Sequence, residues 1–69
     1  MTFSGLAAGG TAKIFTLTRV LVRELTADGS GTASWDGRNG SGETVASGTY
    51  FVVAQVPGGT KKFKIAVQR

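Results

Sequence analysis

The chain has 69 residues, eight Lys plus Arg against four Asp plus Glu, a net charge of +4 and a pI near 10.2. That length sits close to the lower limit for a core that must hold without disulfides, metal or a partner. Cys and His are both absent, which excludes disulfide staples, thiol nucleophiles, the usual zinc ligands and the commonest general base at neutral pH.

The whole of 1–69 reads as one domain, with residues 1–11 as a lead-in loop broken by Gly5, Gly9 and Gly10, where Phe3 and Leu6 are free to plug a core edge. This opening lacks a basic start and an adequate apolar segment, so it is not a secretory signal; an exported protein would carry the chain as a processed or excised part. Residues 12–18, AKIFTLT, read as a strand with Ala12, Ile14 and Thr16 on one face and Lys13, Phe15 and Leu17 on the other. Residues 20–25, VLVREL, follow as a second strand, with Leu21, Arg23 and Leu25 sharing a face and a tight hairpin through Thr18 and Arg19. A helix over 14–25 competes, but Ile, Phe, Thr and Val dominate and no cap sits at the right offset.

Asp28-Gly29-Ser30-Gly31 is a turn, and 32–36 a short strand placing Ala33 and Trp35 on one side. Residues 37–47 form a long connection with Gly37, Gly40 and Gly42. The strongest strand is 48–56, where Tyr50, Val52, Ala54 and Val56 alternate with Phe51, Val53 and Gln55. Pro57-Gly58-Gly59-Thr60 is a hairpin loop, and 61–68 alternates Phe63, Ile65 and Val67 inward with Lys62, Lys64, Ala66 and Gln68 outward. Five short strands and no convincing helix predict an all-β sandwich or small barrel. No apolar run approaches the roughly 18 residues of a membrane span.

Several chemical readings can be weighed against that pattern. Asp36, Asn39 and Glu43 are oxygen donors in a glycine-rich loop, yet Arg38 and Gly40 stand where an EF-hand loop needs further oxygens, so a plain turn is expected. Gly29-Ser30-Gly31 and Gly40-Ser41-Gly42 precede neither a helix nor a Lys-Ser/Thr pair, which argues against phosphate loops. The carboxylates of Glu24, Asp28, Asp36 and Glu43 would need a cleft of defined width, which a domain this small does not promise, and no constellation announces an enzyme. Lys61, Lys62 and Lys64 beside Phe63 superficially suit a single nucleic-acid strand. Alternation points Phe63 away from Lys62 and Lys64, so a solvated edge explains those lysines more simply and nucleic acid is not the expected partner.

Trp35-Asp36-Gly37, followed by Gly42, Val45, Ser47-Gly48 and Tyr50, resembles the WDG…G…V.SG.Y signature of the immunoglobulin-like domain first described in the flagellar hook-capping protein. The same module is similar to C-terminal sorting domains of secreted and surface-attached bacterial proteins, including those exported by type IX secretion. IFTLTRVLVREL looks like that family's first hairpin and TKKFKIAVQR like its basic last strand. The family usually has glycine where Arg19 stands, and generally another strand or two before the segment that corresponds to Phe3.

The resemblance implies a small immunoglobulin-like antiparallel β-sandwich, incomplete at one edge and open to a partner strand. It implies a non-catalytic interaction module without cofactor or metal, at the bacterial surface or secreted, whose partners are proteins: export or surface machinery, or domains of its parent. Physically, Trp35 would fill the space between sheets, Asp36 would hold an Asx turn, and Tyr50 would direct its hydroxyl to rim backbone. Gly37, Gly42 and Gly48 complete that structural set, and Phe15, Phe51, Lys62, Lys64 and Arg69 are the candidate partner-facing residues. Two alternatives stand beside it: a carbohydrate-binding module stacking sugars on Phe15 and Phe51, and a homo-oligomer formed by strand exchange at the open edge.

Overall fold

A computed structural model describes residues 1–68 and shows an all-β chain; Arg69 lies outside the described residues. Six strands occur among the described residues: β1 (Thr2–Phe3), β2 (Thr11–Phe15), β3 (Leu21–Thr26), β4 (Ala33–Ser34), β5 (Gly48–Val56) and β6 (Gly59–Val67). They form a four-stranded antiparallel sheet in the order β3-β2-β5-β6, and a two-stranded antiparallel sheet, β1-β4. The architecture is a small β-sandwich in which the short sheet and its flanking loops cover one face of the large one. No helix occurs among the described residues, so the amphipathic alternative over 14–25 is not taken.

Period-two alternation decides which face is covered. Ala12 and Ile14 of β2, Leu25 of β3, and Tyr50, Val52 and Ala54 of β5 point inward and are buried. Phe3, Leu6, Ala33, Trp35 and Val45 close over them from the other side. Ile14 and Val52 are fully enclosed, each worth about 1.5–3 kcal/mol of burial. Phe63, Ile65 and Val67 of β6 also face inward but are only half-buried, because β6 is an edge strand with cover on one flank.

Three features depart from the pattern expected of the sequence. The opening segment is not all loop: Thr2 and Phe3 pair with Ser34 and Ala33, and Trp35 N–H donates to the Met1 carbonyl at 2.7 Å. Two paired residues are too few to leave a periodic signal. Second, the first hairpin is longer than a two-residue turn. Thr16 N–H donates to the Val20 carbonyl and Arg19 N–H to the Thr16 carbonyl, both at 2.9 Å, leaving 17–19 as the loop. Third, the register of β2 against β3 shifts between Ile14, opposite Arg23, and Phe15, opposite Leu21. Val22 is therefore a bulge, and Leu21 turns to the face opposite Arg23 and Leu25 instead of sharing theirs.

Candidate functional site

The loop after β4 is built around the indole. Trp35 is buried, meets the Tyr50 ring edge-on with centroids 6.0 Å apart, and donates from Nε1 to the Arg38 carbonyl at 2.8 Å. Asp36 Oδ1 accepts the Arg38 N–H at 3.0 Å, an Asx turn that delivers that carbonyl to the indole. Gly37 has φ 77° and its carbonyl accepts the Val45 N–H at 2.9 Å. Gly42 has φ 84° at the end of a turn closed by its N–H on the Asn39 carbonyl, and Gly48 opens β5. Tyr50 OH donates to the Ala46 carbonyl at 2.6 Å, tying the loop's far end to the core strand.

Asn39 Oδ1 accepts the N–H groups of Ser41 and Glu43, so it and Asp36 hold the loop's own backbone. No group of three or more His, Cys, Asp or Glu side chains positioned to hold a metal ion occurs among the described residues.

Arg23, in sequence one more strand position, is a second clamp. It reaches from β3 to the Asn39 carbonyl at 3.3 Å and lies 3.7 Å from Asp36 Oδ1. Gly40 N–H donates to the Val22 carbonyl at 3.0 Å. The loop thereby covers the β3 edge of the large sheet at Val22. The sequence signal for it is a cation on the strand face that also carries the buried Leu25.

The partner-facing candidates assemble on the opposite, uncovered face. Register aligns Leu21, Phe15, Phe51 and Lys64 in one row across all four strands, and Glu24, Lys13, Val53 and Lys62 in the next. Phe15, Phe51 and Val53 are half-buried, while Leu21, Lys62 and Lys64 are exposed. Phe15, Phe51, Val53, Lys62 and Lys64 line a shallow groove of about 390 Å³ together with Arg19. Lys64 Nζ stands 5.5 Å from the centre of the Phe51 ring, a cation–π contact. Lys13 and Glu24 form an exposed pair at 3.9 Å; among the described residues no carboxylate pairs with Lys62 or Lys64. Four of the five candidates thus meet on one cationic, aromatic face, and the fifth, Arg69, is outside the described residues.

The fold is a small β-sandwich with a locked crossover loop and one uncovered face that carries Lys62 and Lys64. No family model and no curated protein matches the chain. Among solved structures it is similar to part of PorZ, an essential bacterial surface component of the type-IX secretion system of Porphyromonas gingivalis. The two share 34% identity over 99% of this chain, with a TM-score of 0.77, and the chain spans 9% of that protein's length. No helix among the described residues is long and apolar enough to cross a membrane.

Proposed function

We propose that this chain is a non-catalytic protein-interaction module of a secreted or surface-attached bacterial protein, acting in export recognition, surface attachment or subunit contact. The supporting observation is the similarity to a stretch of a type-IX secretion surface component, 34% identical over nearly the whole chain. The WDG…SG.Y set of Trp35, Asp36, Gly37, Gly42, Gly48 and Tyr50 is the scaffold in this reading. Phe15, Phe51, Lys62 and Lys64 carry the contacts. Grafting the chain onto the C-terminus of a periplasmic reporter, in a bacterium with type IX secretion, tests the export role. The reporter should become accessible to added protease only when the secretion system is intact; retention in both strains would refute that role.

A sugar-binding reading draws on Phe15 and Phe51 sharing the uncovered face. The Lys64 ammonium already occupies a face of the Phe51 ring, which is the surface a stacking sugar would need. Protein docking is therefore the preferred reading. Retention on insoluble polysaccharide that is lost with Phe51→Ala would reverse the preference.

A further inference from the structure

The two edges of the large sheet are not equivalent. The β3 edge is covered at Val22, whose carbonyl accepts the Gly40 N–H of the crossover loop, and the Arg23 side chain clamps that loop. The β6 edge has no neighbour beyond β5 among the described residues. Which backbone groups it leaves open follows from the register. The Gln55 carbonyl accepts the Ala7 N–H, on the side of β5 away from β6. Gln55 and Thr60 are thus a non-hydrogen-bonded pair, and the alternation continues through Val53–Lys62 and Phe51–Lys64. The N–H and C=O groups of Thr60, Lys62, Lys64 and Ala66 point outward from the sheet.

Three properties of this edge coincide. It offers a row of backbone donors and acceptors with strand spacing. Its outer side presents the Lys62 and Lys64 ammonium groups two residues apart with no carboxylate partner among the described residues. Its inner side leaves Phe63, Ile65 and Val67 half-exposed at the rim of the core. A second copy of β6 is a poor occupant, because the antiparallel registers of greatest overlap set lysine directly opposite lysine.

We propose that the β6 edge accepts an extended acidic segment of a partner protein as an added antiparallel strand, with carboxylates at alternate positions facing Lys62 and Lys64. The intervening residues are apolar and extend the core over Phe63, Ile65 and Val67. Main-chain bonds supply affinity, and the alternation of carboxylate and apolar side chains supplies selection. This rests on the protein-docking reading above and names the chemistry of the partner.

The probe is a short fluorescein-labelled peptide alternating Glu with Val and Ile, titrated with the intact chain and followed by fluorescence anisotropy. Methylating the backbone nitrogens of the Glu residues, which must donate to the carbonyls of β6, should weaken binding by at least about tenfold. Methylating those of the Val and Ile residues, which point away, should not. The exposed double variant Lys62→Glu/Lys64→Glu should also lose about tenfold and bind the Lys-for-Glu peptide instead.

No binding of the acidic peptide, equal binding of the two methylated forms, or unchanged binding to the charge-reversed variant would each overturn the proposal. Ala66→Pro removes an outward N–H and leaves the pairing with β5 intact, so it should block the peptide. Should that variant fail to fold, the methylated pair decides alone. Peptide binding without export of the reporter would sink the export role and leave the edge proposal standing; export unaffected by the charge reversal, with no peptide binding, would do the opposite.

Discussion

At the scale of single residues, backbone conformation and carboxylate placement account for two measurable quantities. Arg19 adopts φ 66° in the first hairpin loop, a left-handed conformation that costs a side-chain-bearing L-residue roughly 1–2 kcal/mol. Glycine avoids that strain but loses more freedom on folding. Arg19→Gly should therefore stabilise by a net 0.5–1 kcal/mol or so, read as a rise of several degrees in a thermal melt. Asp28 is the other case. Its Oδ1 accepts the Ser30 hydroxyl at 2.7 Å, the Ser30 N–H at 2.9 Å and the Thr32 N–H at 3.0 Å. These bonds, the Ser30 hydroxyl foremost and then the backbone donors, favour the charged form and hold the carboxyl below its ordinary range. Because the folded-state pKa is the lower one, this contribution is complete above the ordinary aspartate value and fades as pH falls through the folded-state value. The melting temperature of the wild type should exceed that of Asp28→Asn at neutral pH, and the gap should close on acidification through that window. A gap that stays constant with pH would remove the charge from the account.

Elements were readable where they were long. The bounds of β5 coincide with the alternating run 48–56, and its buried and half-buried faces follow the period in the sequence. The inward set of β6 likewise alternates as written, and Pro57 followed by Gly58 at φ 92° makes the turn between them. What escaped was set by single tertiary contacts. β1 exists because Phe3 is drawn over the core beside Phe63, with ring centroids 6.0 Å apart. Leu21 faces Phe15 because one extra residue is accommodated at Val22. The outer apolar row was therefore only half visible in advance: Phe15 and Phe51 were, Leu21 was not. The turn before β4 shows the same dependence on a distant contact. Gly31 has φ 77°, accepts the Leu6 N–H at 3.0 Å, and would drive a Cβ into the Leu6 carbonyl. Strain and overlap together should make Gly31→Ala cost about 2–4 kcal/mol. Gly29→Ala, two residues away and facing open space, should stay within about 0.5 kcal/mol of wild type in denaturant melts.

For the molecule as a whole, the question is how a sandwich with an open β6 edge avoids polymerising. Its radius of gyration, 11.4 Å, is what about 2.2·N^0.38 gives for this length, so the two-stranded sheet and loops suffice to compact the chain. The remaining hazard is the β6 edge, nine residues long with half-exposed apolar positions on its inner side. Lysine on the opposite side counters it: pairing of two such edges brings Lys62 and Lys64 of one copy against those of another at strand spacing. Half of the net charge of +4 thus acts as a barrier to self-pairing while leaving the same edge attractive to carboxylates. Replacing Lys62 with Thr and Lys64 with Val keeps strand propensity and the pairing with β5 but removes the barrier. The variant should show a weight-average mass that climbs with concentration in light scattering, over a range where the wild type stays constant. Raising the salt should move the wild type toward the variant, since screening weakens repulsion between exposed charges. If the variant remains as monomeric as the wild type at every concentration, the lysines do not guard the edge, and their placement on β6 would have to be explained by partner contacts alone.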